Sequence, residues 1–273
     1  MVVDPFAKKG VGKKSQNTEK IEIDSDPRIE KNLEAYMQLL DDHLGPRGAS
    51  QIDHLEFFKR QINGLELEIL SAPLIEQLQQ RLSEIKIADP IKLPPFNKDV
   101  YDGMLLTRLL QESYNSGHNN FFLDLKGERA FFLGFGLEGT KDNPLLCTMY
   151  TPINLRSPFR RAKYCKVSAI ADAQSFGIES EHCAFDLKGT YGEHVGAGAK
   201  YSLFQIEGDV GGYCADHSVH STFKIRGSAS SFLGQHSFKS TFKVSKDVRG
   251  FYGIHARRST FCIEGSAEPY EEY

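Results

Sequence analysis

The sequence predicts an α+β chain divided by segment: a small N-terminal helical region, then a parallel β-solenoid (β-helix) with 19-residue rungs, roughly eight in all. Three observations carry this. Phe185, Phe204, Phe223, Phe242 and Phe261 recur every 19 residues without a gap. Around each, apolar and polar residues alternate with the period of a strand that buries one face. Before residue 117 the apolar spacing is that of helices instead.

The first 25 residues are polar and carry Lys8, Lys9, Lys13, Lys14 and Lys20. Such a segment has too little apolar surface to offset its ordering entropy, so a disordered tail is expected over 1–25. A helical region is expected over 26–116. Ile29, Leu33, Tyr36, Leu40 and Leu44 form one helical face closed by Gly45-Pro46. Ile52, Leu55, Phe58 and Ile62 make a second. Ser71 reads as the N-cap of a third, with Pro73 in its first turn and Leu74, Leu78, Leu82 and Ile85 along it. After a connector with Pro90, Pro94 and Pro95, Asn97 is expected to cap a last helix carrying Tyr101, Leu105 and Leu109. These helices are expected to pack on the solenoid, and a partner-binding role for them is the rival reading.

The solenoid is expected over 117–273. Let position 1 be the residue two before each repeated Phe. Position 5 is then Leu187, Ile206, Ile225, Val244 and Ile263, and position 7 is Gly in all but one of these rungs. Asp or Ser at position 8 can hydrogen-bond the turning backbone. Position 12 is usually aromatic and position 14 small. One rung cannot bury its apolar face alone, but rungs stacked about 4.8 Å apart put Phe on Phe and Ile on Ile. Extended backward, the register places Leu123 at position 3. Cys165, Val167 and Ala169 fall at positions 1, 3 and 5 if one residue is lost between Phe176 and Gly177. Cys147, Met149 and Thr151 fall likewise if Thr140–Leu146 is an inserted loop.

Two columns could carry chemistry. His217, His236 and His255 share position 16, and imidazoles one rung apart are candidate ligands for Zn, Cu or Ni. Against this, a ladder presents its rings in parallel whereas a metal wants converging ligands. Cys147, Cys165 and Cys183 share position 1 in the expected register, ahead of Ser202, Ser221, Ser240 and Ser259. They read as a thiol ladder, or as compact buried residues at a tight corner. No P-loop, GxSxG, HExxH or Rossmann glycine pattern occurs. No catalytic or cofactor-binding residue, and no cofactor, is therefore assigned.

A net charge of −3 gives no electrostatic footprint for nucleic acid. No apolar stretch is long enough for a membrane span, and the N-terminus does not read as a secretory signal. Five cysteines without CxxC spacing suit a reducing, cytoplasmic setting.

The phrase Ser-Thr-Phe-x-Ile-x-Gly at Ser221–Gly227 and Ser259–Gly265 resembles a mainly archaeal group of Ser/Cys-Thr-Phe repeat proteins. The likeness covers about 121–273; it implies a β-solenoid and brings no activity or site with it. Helices ahead of a solenoid also look, more loosely, like the cores of iron–sulfur scaffold subunits, but no motif carries that likeness further. The functional expectation is a non-enzymatic scaffold or protein-interaction protein. A homo-oligomer would be joined at the C-terminal end of the solenoid, where the last rung is incomplete. The alternative is a metal- or thiol-dependent protein, as metallochaperone or enzyme, using the His or Cys column.

Overall fold

The computed structural model describes residues 26–42, 51–82, 84–85, 95–125, 130–151 and 155–267. The expected tail over 1–25, the Gly45-Pro46 stop and the chain after Ala267 lie outside them. Among the described residues four helices come first: α1 (Pro27–Asp42), α2 (Gln51–Asn63), α3 (Ala72–Leu82) and α4 (Pro95–Asn115). Ten strands follow: β1 (Asn120–Asp124), β2 (Leu145–Tyr150), β3 (Leu155–Arg156), β4 (Cys165–Ile170), β5 (Ala173–Gln174), β6 (Ala184–Lys188), β7 (Leu203–Glu207), β8 (Thr222–Ile225), β9 (Thr241–Val244) and β10 (Thr260–Ile263). The helical region and the parallel β-solenoid are thus both present.

The main sheet has eight parallel strands in the order β1-β2-β4-β6-β7-β8-β9-β10. Two further lines of pairing run beside it. One joins β3 to β5 and continues by single bridges through Tyr191, Val210, Ala229 and Val248. The other runs from Glu138 through Lys163, Glu181, Lys200, Val219 and Phe238 to Arg257. Between these lines the chain turns by alternating left-handed residues: in one rung Tyr213, Ala215 and His217 all have φ between 54° and 59°.

The core is a set of ladders. Phe204, Phe223 and Phe242 are fully buried, and consecutive rings from Phe185 to Phe261 stack with centroids 4.5–5.4 Å apart. The small residue at position 14 is explained by this column. A Cβ added to Gly196 would stand 2.6 Å from the Phe223 ring, at a φ of +62°. Two buried columns were not singled out in the sequence: position 13 (Phe176, Val195, Cys214, Leu233) and position 17 (Ala162, Ser180, Ala199, Ser218, Ser237).

Serine and aspartate ladders tie the rungs together. At position 1 each side chain accepts the amide of the same position one rung earlier: Ser202 N–H donates to Ser221 Oγ, and Ser221 N–H to Ser240 Oγ. Position 8 alternates Asp172, Thr190, Asp209, Ser228, Asp247 and Ser266. Each Asp carboxylate accepts the amide of the next rung at 2.7–2.9 Å. The alternation keeps like charges two rungs apart, about 10 Å, where solvent screens them.

The early register differs from expectation by two residues. Cys147 pairs with Val167 and Met149 with Ala169, so Leu145 takes position 1 opposite Cys165. Leu123 pairs with Met149, hence sits at position 5. A two-residue slip leaves every side chain on the same face, so alternation alone does not detect it. Correspondingly the exposed loop is shorter: it runs over 140–143, and Leu145 already starts β2. In the β4 rung the missing residue falls between Gln174 and Ser175, because Ser175 takes the left-handed place that His194 holds one rung later.

The helices cap the first rung and do not roof the sheet. α4 starts at Pro95, two residues ahead of the expected cap Asn97, since proline is preorganised for a first turn. It is buried almost all round through Val100, Tyr101, Leu105, Leu106, Leu109 and Leu110. One stripe of it faces the open backbone of the first rung. Phe131 N–H donates to Asp99 C=O, and Gly103 lets the helix approach Phe131 C=O. Thr107 Oγ1 accepts Gly134 N–H at 2.7 Å, and Gln111 exchanges two hydrogen bonds with the Glu138 backbone. From α3, Gln79 donates to Asp124 C=O. Tyr36 and Lys98 both donate to the buried Asp102 carboxylate, joining α1 to α4.

Candidate functional site

The His column lies on an outer corner of the solenoid. His217, His236 and His255 each adopt φ of 52–54°, a region histidine tolerates better than most residues. This turns their rings outward into a stack, with centroids 4.5 Å apart from His217 to His236 and 5.2 Å from His236 to His255. The ladder is parallel, as expected, but one feature makes it converge. Asp216, the residue before His217, sends Oδ1 to 2.8 Å from His217 Nδ1 and 3.4 Å from His236 Nδ1. The two later rungs have Gln235 and Ile254 at that place. The carboxylate thus spans two rungs. A ligand atom from each of Asp216, His217 and His236 lies within 4.8 Å of the others.

The thiols do not form a three-membered ladder. Cys147 belongs to the Phe column, and its buried thiol is pushed up to about 12 by desolvation. Cys165 and Cys183 do share position 1, where they replace serine in the same role: Cys183 Sγ accepts Cys165 N–H, as Ser202 Oγ accepts Cys183 N–H. The contact with Cys183, and then burial, push the Cys165 thiol far up. Such thiols are protonated and poorly nucleophilic at neutral pH. Cys214 is likewise buried and raised to about 12, and Cys262 on β10 is exposed. All five cysteines are unpaired.

No family model, curated protein or solved structure matches the chain. Its surfaces must be read from their own chemistry.

A second exposed stack lies just ahead of the main sheet strands. Tyr164, His182, Tyr201 and His220 precede position 1 in four successive rungs, with rings 4.9–5.1 Å apart and within 10° of parallel. Each ring face is covered by its neighbour, leaving edges to solvent. The column escapes notice because it alternates Tyr and His and then turns to Lys239 and Arg258. At the capped end, α2, α4 and the first rung enclose an open groove of about 750 Å³ lined by Lys59, Arg108, Gln111, Glu112, Phe135 and Glu138. Its charges are partly committed: Arg108 pairs with Glu112 at 2.7 Å, and Lys59 lies over the Phe135 ring. Elsewhere ion pairs such as Arg226–Glu207 and Lys243–Glu264 link neighbouring rungs.

The two ends of the solenoid are unequal. At the first rung Phe121, Leu123 and Leu125 are fully buried beneath the helices. At β10 the inward residues Phe261 and Ile263 are only half-buried, whereas Phe242 and Val244 one rung earlier are wholly buried. Among the described residues no helix or strand covers β10, and no helix is long and apolar enough to cross a membrane.

Proposed function

We propose that the protein is a non-enzymatic scaffold that self-associates, two copies joining through their β10 rungs. The observation that carries this is the contrast between the ends. In the first rung, backbone groups of Phe131, Gly134, Glu138 and Asp124 pair with Asp99, Thr107, Gln111 and Gln79, and the inward residues Phe121, Leu123 and Leu125 are covered. The β10 rung presents a parallel-sheet edge with half-buried Phe261 and Ile263, a template for pairing with another strand. A second copy offers the same strand and the same apolar pair, and a two-fold axis matches them to each other. Two β10 strands so related run antiparallel, with Phe261 and Ile263 of each continuing the ladders of the other.

The remaining surface supports a structural role. The outward columns carry ion pairs between neighbouring rungs, and burial holds the thiols of Cys147 and Cys214 protonated. Five unpaired cysteines support placement in a reducing compartment such as the cytoplasm.

Sedimentation equilibrium at tens of micromolar, about where weak dimers populate, tests the reading. The native chain is expected as a dimer, and Ile263→Asp as a monomer with unchanged circular dichroism. A native chain that stays monomeric across that range would sink it.

A further inference from the structure

We infer that Asp216, His217 and His236 form a binding site for a borderline divalent metal ion, Zn²⁺ or Ni²⁺ by chemical class. Two imidazoles and one carboxylate are the donors that such ions prefer, and Mg²⁺ or Ca²⁺ would want oxygen ligands instead. The geometry is close to what a tetrahedral ion needs. With metal–ligand bonds near 2.1 Å, ligand atoms stand about 3.4 Å apart. The two separations from Asp216 Oδ1 are already 2.8 and 3.4 Å. The remaining separation, between the two rings, is within 4.8 Å. Closing it needs a small rotation of His217, whose side chain is 65% exposed. His236 is held between His217 and His255, and Asp216 is 20% exposed, so two of the three donors are preorganised. Water completes the coordination on the solvent side.

The carboxylate is what separates a site from a mere ladder. His236 and His255 also stack, with ring centroids 5.2 Å apart, yet Gln235 and Ile254 supply no anionic donor beside them. The ion therefore sits between the rungs of His217 and His236. His255, behind His236, is outside its coordination shell. Binding there clamps two rungs at an outer corner and is independent of the β10 end.

The test uses the full chain, purified without a histidine tag and stripped with a chelator, titrated with Zn²⁺ in a calorimeter. Binding of about one ion per chain with a Kd near 1–10 μM is expected for an open three-donor site. His236→Ala and Asp216→Asn should each weaken binding about tenfold or more, while His255→Ala changes it less than about threefold. Co²⁺ in place of Zn²⁺ should give visible absorption that Asp216→Asn removes. Circular dichroism of each variant should stay unchanged, which shows that loss of binding does not reflect unfolding. No saturable binding would overturn the proposal. So would an effect of His255→Ala equal to that of His236→Ala, or no effect of Asp216→Asn. Either would describe a featureless imidazole ladder.

Discussion

Replacing Phe223 by alanine removes a ring that is fully buried and stacked on both faces, 4.7 Å from Phe204 and 5.4 Å from Phe242. A fully buried Phe→Ala change costs about 3–5 kcal/mol, transfer and cavity together. The lost stacking is already part of that figure. Phe261 has the same neighbours on one side only: Phe242 lies 4.5 Å away, and the other face is half-open. Its truncation should cost about 1–2 kcal/mol, since roughly half the area is buried and no closed cavity is left. In a stack held by nearest-neighbour contacts, position along the array therefore sets the penalty. Urea denaturation followed by circular dichroism measures both variants. It should be run at low protein concentration, where association adds nothing to stability. A cost for Phe261→Ala equal to that for Phe223→Ala would refute the reasoning, because it would mean the last ring is enclosed.

Thr107→Val keeps the shape of the side chain but leaves the buried Gly134 N–H without its acceptor, so unfolding should become easier by about 1–3 kcal/mol in the same assay. In the native protein a thiol reagent should label Cys262 quickly. The other four cysteines should react only on unfolding, being buried and, for Cys147 and Cys214, raised to about 12. Ser266 N–H and Oγ–H hold the Asp247 carboxyl below its usual range. A depressed carboxyl stabilises the fold above its unfolded pKa, and that contribution disappears as pH falls through the folded value. Acid should therefore loosen the last rung. Asp247→Asn should flatten the pH dependence of its amide exchange below about pH 4.

How much of this was legible depends on what fixes each feature. The 19-residue spacing of Phe185 to Phe261 admits one register, and the stacked rings follow from it. Leu145, Cys147 and Met149 all point inward, so alternation admits two registers, and β2 took the one that places Leu145 opposite Cys165. The cap stripe on α4 was hidden for a different reason. Gly103, Thr107 and Gln111 add nothing to the apolar spacing of Tyr101, Leu105 and Leu109, yet they are the residues that meet the backbone of the first rung. The His column was visible as a column. Its convergence was not, because the reach of Asp216 to His236 depends on the left-handed turn at His217, which spacing does not encode.

The central claim is that β10 meets β10 of a second copy, and Cys262 reports on it directly. In an antiparallel pairing that keeps Phe261 and Ile263 inward, Cys262 shares the outer face with its counterpart. Opposed residues in such a pair have Cα atoms about 4.5–5.5 Å apart. A bismaleimide of about 8 Å span spans both the directly opposed register and those one pair to either side. Treating the native chain at tens of micromolar should give a covalent dimer, lost in Cys262→Ser and in Ile263→Asp. A dimer in solution that resists this cross-link would place the interface elsewhere, and monomer throughout would contradict the account.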